Sequence, residues 1–137
     1  MSADQQTLLD QMVREGYSKS VCSPLSSPDG ESLATFDCNA LTNGPQVGRF
    51  WLYPSINTLS NGFESLTKKL ALVTCPGSQK APDTWHYDNS PDKTAGQLAC
   101  GNKGNTPALL WTDDAKNFMG YVEGTSIDDL YKWWTHK

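Results

Sequence analysis

Apolar positions recur with a helical period in three stretches, and with a strand period or as unbroken apolar runs in seven others. In "TLLDQMVREGY", Leu9, Met12, Val13 and Gly16 share one helical face. With Asp4 as cap and Gly16 as stop, this predicts a helix over residues 5–15. "SVCSPLSSPDGES" reads as a Ser/Pro loop following Cys22. "SLATFDC" alternates, with Ala34, Phe36 and Cys38 on one face. "VGRFWLY" continues as a strand, Val47, Trp51 and Tyr53 opposite Phe50 and Leu52. Asn43-Gly44 between them is a hairpin signal.

The clearest helix opens at Ser55, its cap, and carries Ile56, Leu59, Phe63, Leu66 and Leu70 as an apolar stripe. Gly62 inside it costs about 1 kcal/mol relative to alanine, which implies a close neighbour. "LALVTC", "TWHYD", "AGQLACG", "ALLWTDD" and "NFMGYVEG" follow as strands, with "DDAK" as a tight hairpin tip. "SIDDLYKWW" closes the chain as a helix: Ser126 and Asp129 form an acidic capping box, and Ile127, Leu130, Tyr131 and Trp134 make one face. The order α-β-β-α-β-β-β-β-β-α predicts an α+β fold. An antiparallel sheet of six to seven strands would carry two to three helices on one side, in one domain over residues 1–137.

Two stretches share a plan. "ATFDCNALTNGPQVGRFWLYP" and "TAGQLACGNKGNTPALLWTDD" each run strand, cysteine, Asn/Gly loop, apolar strand, tryptophan. Aligning Cys38 with Cys100 also matches Asn43 with Asn105 and Pro45 with Pro107, which suggests pseudo-repeat halves over residues 5–70 and 71–135. Four cysteines allow three pairings. The simplest places one bridge in each half, Cys22–Cys38 and Cys75–Cys100, each worth about 3 kcal/mol by loop closure. No C-x-x-C pair occurs and neither histidine sits at a zinc-finger interval, so staples are favoured over a metal site.

At 137 residues and 37% hydrophobic, the chain has material for one moderate core. A net charge of −4 with scattered Lys and Arg argues against nucleic acid. No apolar run approaches the roughly 18 residues of a membrane span. "MSADQQTLLDQ" lacks the basic and apolar regions of a signal peptide. Two disulfides then imply an extracytoplasmic domain whose export signal or anchor lies outside this sequence.

Candidate chemistry is sparse. His136 is next to last, in an end expected to fray, and His86 in "TWHYD" alternates away from Trp85 and Tyr87 towards solvent. "SLTK" (Ser65 to Lys68) matches a bare S-x-x-K without its companion motifs. Asp113-Asp114 and Asp128-Asp129 fit turn and helix-dipole roles. "DNSPD" lacks the spacing of a calcium loop, and "GNKGN" is no phosphate loop. The reading assigns no catalytic residue, metal or cofactor. Aromatics are the remaining signal: Trp51, Trp111 and Trp134 fall on apolar faces and read as core. Trp133 stands about 100° round the helix from Trp134. Trp85, Tyr87, Tyr131 and Trp133 are therefore the candidate ligand surface.

"TAGQLACGNKGNTPALLWTDDAKNFMGYVEGTSIDDLYKWW", with "LATFDC…FWLYPSINTLSNGF" before it, resembles the extracytoplasmic domains of mycobacterial receptor-type serine/threonine protein kinases and related secreted or lipid-anchored modules. The resemblance runs from about Leu8 to Trp134 and its motifs are structural. It implies a sensor at the cell surface or periplasm, joined elsewhere to a membrane span and a kinase. Such a sensor would act through a small-molecule, cell-envelope or protein ligand, or through homodimerisation. The alternative is a stand-alone secreted or lipid-anchored binding protein. This chain itself has no glycine-rich nucleotide loop, HRD or DFG.

Overall fold

The computed structural model describes residues 1–135; His136, expected in a fraying end, lies outside the described residues. Helix α1 spans Ala3–Arg14, and its cap is Ser2 where Asp4 was expected. Ser2 Oγ accepts from the Gln5 amide (3.1 Å) while the Gln5 side chain accepts from the Ser2 amide (2.9 Å). That reciprocal box satisfies two orphan donors and leaves Asp4 in the first turn, where the helix dipole favours it. Leu8, Leu9 and Met12 are buried, whereas Val13, expected on the same face, is 49% exposed. Gly16 ends the turn at φ +99°, a backbone angle open to glycine at little cost.

The strands are β1 (Cys22–Pro24), β2 (Ala34–Cys38), β3 (Val47–Leu52), β4 (Ala71–Val73), β5 (Asp83–Trp85), β6 (Gly96–Lys103), β7 (Thr106–Asp113) and β8 (Phe118–Glu123). Helix α2 covers Ile56–Thr67 and α3 covers Ile127–Thr135. All eight strands join one antiparallel sheet in the order β1-β2-β3-β8-β7-β6-β4, with β5 also paired to β6. The α+β fold is thus present, with one strand more than expected. The extra strand is β1, at the start of the Ser/Pro stretch. Its three residues fill a single ladder at the sheet edge, a place that tolerates Pro24.

The helices do not share one side of the sheet as expected. Residues Phe36, Phe50, Leu109, Trp111, Phe118 and Val122 turn to the face covered by α1 and α3. Trp51, Tyr53, Ala99, Leu110 and Met119 turn to the opposite face, with Leu59 and Phe63 of α2. The physical reason is visible in "RFWLY" and "ALLW", where apolar residues are consecutive. Unbroken apolar runs are the pattern of strands buried on both faces.

Both disulfides follow the one-per-half pairing, Cys22–Cys38 and Cys75–Cys100. Cys38 faces Gly48 and Cys100 faces Leu109, and both of those partners face Val122 of β8. The two bridges therefore occupy matching places on either side of β8. The tryptophans do not match. Trp51 lies opposite Met119 and Trp111 opposite Gly120, one residue apart, so they point to opposite faces. The match between the two bridges does not extend to the two tryptophans.

Two expectations of close packing can be tested. A methyl group at Gly62 would run into the ring and hydroxyl of Tyr53, which is 5% exposed. Gly62→Ala is therefore expected to destabilise by about 1–3 kcal/mol through overpacking, against its helix propensity. A denaturation midpoint that rises would contradict this.

Tyrosine burial gives the second. The Tyr17 hydroxyl is buried with no hydrogen-bond partner among the described residues, and desolvation pushes its pKa well above the usual value. Burial, then the charges of Asp29 and Glu31, push Tyr53 up to about 12. Below pH 10 both states keep these protons. As pH rises further the unfolded chain releases them first, so stability falls by about 1.4 kcal/mol per pH unit for each tyrosine. Tyrosinate absorbance and loss of ellipticity should rise together above pH 10. Ionisation of all five tyrosines in an intact fold is the opposite outcome.

Candidate functional site

β5 hangs outside β6, and α3 lies across the sheet beside it. Between them runs a groove of about 410 Å³. Trp85 ends β5 and meets Tyr87 edge to face, ring centroids 4.8 Å apart. From α3, Trp134 packs edge-on against Trp85 at 5.2 Å, and Tyr131 lies 5.9 Å from Trp134. Three of the four expected aromatics, Trp85, Tyr87 and Tyr131, thus come together. Trp133 does not join them. About 100° round α3, it packs edge-on against Tyr17 at 5.6 Å and lines a separate hollow between the end of α1 and the start of α3. Trp134, expected in the core, is only partly buried and takes the place in the groove intended for Trp133.

Hydrogen bonds fix the rings. Trp85 Nε1 donates to the Thr112 carbonyl (2.7 Å). This approach needs Gly96, because a side chain there would collide with the same carbonyl. Thr112 Oγ1 accepts from the Gln97 amide (2.9 Å) and donates to Asp114 Oδ1 (2.8 Å), so the β6–β7 end is laced by side chains. The Tyr87 hydroxyl donates to Asp113 Oδ2. Lys116 Nζ stands 3.5 Å from the same oxygen and 5.5 Å from the centre of the Tyr87 ring. Partial burial, then the Asp113 hydrogen bond, then the charges of Asp113 and Glu15 raise the Tyr87 pKa above its usual value. Tyr87 nevertheless keeps 42% of its surface in solvent.

Under the groove, Trp111 is fully buried, with ring centroids 6.3 Å from both Trp133 and Trp134. Its Nε1 donates to Glu15 Oε1 (3.0 Å), and Glu15 reaches both the groove and the separate hollow. The sequence gives little sign of Glu15, which follows the last turn of α1; its partner lies 96 residues away. His86 is exposed, and its Nδ1 contacts the Tyr87 carbonyl oxygen at 3.1 Å, not a carboxylate. Such an arrangement offers flat apolar faces and carboxylates for binding. Among the described residues, no group of three or more His, Cys, Asp or Glu is placed to hold a metal ion.

A third concave surface lies on the α2 face, over β2, β3 and β8. Sequence reasoning passed over its charged residues. Arg49 makes a bidentate pair with Asp37 (2.6 and 2.8 Å), and Trp51 Nε1 donates to Asp29 Oδ2 (3.0 Å). The Asp37 hydrogen bond chiefly raises the Arg49 pKa. Tyr121 donates to Glu123 Oε2 (2.5 Å), and burial followed by that bond raises the Tyr121 pKa. These charges answer one another, which is the signature of a cross-strand structural network.

Compared with family models, curated proteins and solved structures, the chain matches none. Its two disulfides fit a protein that folds in an oxidising compartment, outside the cytoplasm. No described helix is long and apolar enough to cross a membrane.

Proposed function

We propose that this chain is a non-catalytic binding domain that works outside the cytoplasm and takes its ligand in the groove between β5 and α3. The observation that supports this most is the partly exposed aromatic run Tyr87–Trp85–Trp134–Tyr131, held in place by the Trp85–Thr112 bond. Aromatic surface kept partly in water on a rigid support is what a recognition site needs. In the finer form of the reading, carried by the resemblance given above, the domain is the sensor of a transmembrane serine/threonine kinase. Ligand binding or dimerisation would then bring kinase domains together.

The test is cosedimentation with purified cell-envelope material, wild type against Trp85→Ala and Tyr131→Ala. Retention should fall at least tenfold in both variants while their unfolding midpoints stay within reach of wild type. Equal retention of folded variants would remove the groove from the account.

A further inference from the structure

Resting on the groove being a binding site, we infer that it selects an organic cation, an ammonium or guanidinium group seated against Trp85 and Trp134. Glu15 is the carboxylate that such a cation would meet. Its side chain belongs to a residue only 9% exposed, and its one hydrogen bond comes from a neutral indole. None of the ion pairs between described residues involves it. A desolvated carboxylate without a cation is costly, and a positive ligand group is the direct remedy.

The surroundings point the same way. The other charged side chains lining the groove are Asp83 and Asp88, and no Lys or Arg lines it. Arg14 and Lys132 line the separate hollow that Glu15 also reaches, not the groove. Lys116 sits on Asp113 and Tyr87, and Arg14 gives two hydrogen bonds to Gln11 Oε1 (3.0 and 2.8 Å). The negative charges of Asp113 and Glu15 act on Tyr87, with the Arg14 charge opposing them more weakly. Indole and phenol faces attract cations through their quadrupole, most strongly for tryptophan. A buried carboxylate beside partly exposed aromatic faces combines both attractions in one place. The concave surface on the α2 face differs: there Arg49 pairs with Asp37 and stands 3.8 Å from Asp29, Lys69 and Lys103 also line it, and Glu123, bonded to Tyr121, is only partly buried.

Choline and its neutral isostere 3,3-dimethylbutanol separate charge from shape. Titration into the full chain, followed by the indole N–H resonances, should move Trp85 and Trp134 with choline. The isostere should bind at least tenfold more weakly. Glu15→Gln keeps an acceptor for Trp111 and should weaken choline at least tenfold; the double variant Asp83→Asn with Asp88→Asn, on the exposed rim, should weaken it severalfold if Glu15→Gln fails to fold. Equal binding of choline and isostere overturns the inference, as does unchanged choline affinity in these variants. If the isostere binds equally and Trp85→Ala abolishes both, the groove stands as a binding site and only its cation preference falls. If neither probe moves any indole, the cation inference is lost, and envelope cosedimentation decides the broader reading separately.

Discussion

Replacing Cys75 and Cys100 together by alanine is expected to lower the unfolding free energy by about 3–5 kcal/mol. The bridge closes a 25-residue separation, which by loop closure alone is worth about 3.5 kcal/mol. Both cysteines are buried, Cys100 completely, so removing sulfur also costs packing. Its position adds a local consequence. The bridge ties the chain just beyond β4 to β6, and β4 and β5 are each only three residues long. Ladders that short depend on the tether. In the variant, amide exchange in residues 71–85 should therefore rise before that in β7 and β8. The corresponding Cys22–Cys38 variant closes a 16-residue separation, and its local loss should be confined to β1. Denaturant unfolding gives the size, and hydrogen exchange gives the location. A Cys75/Cys100 variant as stable as wild type would show that the bridge is incidental.

Trp111→Ala is expected to cost at least as much, about 3–5 kcal/mol for the cavity alone. Trp111 is fully buried and packs with Phe50, Phe118, Trp133 and Trp134, joining β3, β7, β8 and α3 in one aromatic core. Gly120 leaves it room: a Cβ there would stand 2.5 Å from the indole. The substitution also strips Glu15 of its donor, adding about 1–3 kcal/mol for an unpaired buried group. Trp111→Phe isolates that second part, since it retains most of the apolar volume. Trp51→Phe is the natural comparison, because Trp51 also loses an indole bond, but to the half-exposed Asp29. Trp111→Phe should be the more damaging of the two in thermal or chemical unfolding. The reverse order would mean that Glu15 does not depend on the indole.

Particular residues show where the sequence was informative. The periodic stripe of α2, the Ser55 cap and the need for space at Gly62 were readable because they are local. The pairing of cysteines within halves was also local in effect: one bridge joins the neighbouring strands β1 and β2, the other joins the chain just beyond β4 to its neighbour β6. Layer assignment was not. Period-2 reasoning gives which residues share a face, yet it is silent on whether the second face is wet or covered. The consecutive apolar residues of β3 and β7 carried that information, and α2 lies where they point. β1 was hidden because three residues ending in proline give no alternation to detect. In the groove, Trp85, Tyr87 and Tyr131 came from local alternation and helical spacing. Which of Trp133 and Trp134 lines the groove was not readable, because helical spacing separates the two without fixing the rotation of α3 on the sheet. Glu15 was out of reach: its role depends on a contact between α1 and β7 set by tertiary packing.

The central claim, that the β5–α3 groove is the binding surface, is tested most directly by the indole N–H resonances during titration with solubilised envelope fragments. The five tryptophans supply their own control, since Trp51 sits on the opposite face bonded to Asp29. Shifts at Trp85 and Trp134 with Trp51 unmoved are the predicted result. Shifts centred on Trp51, or five stationary signals, would contradict it.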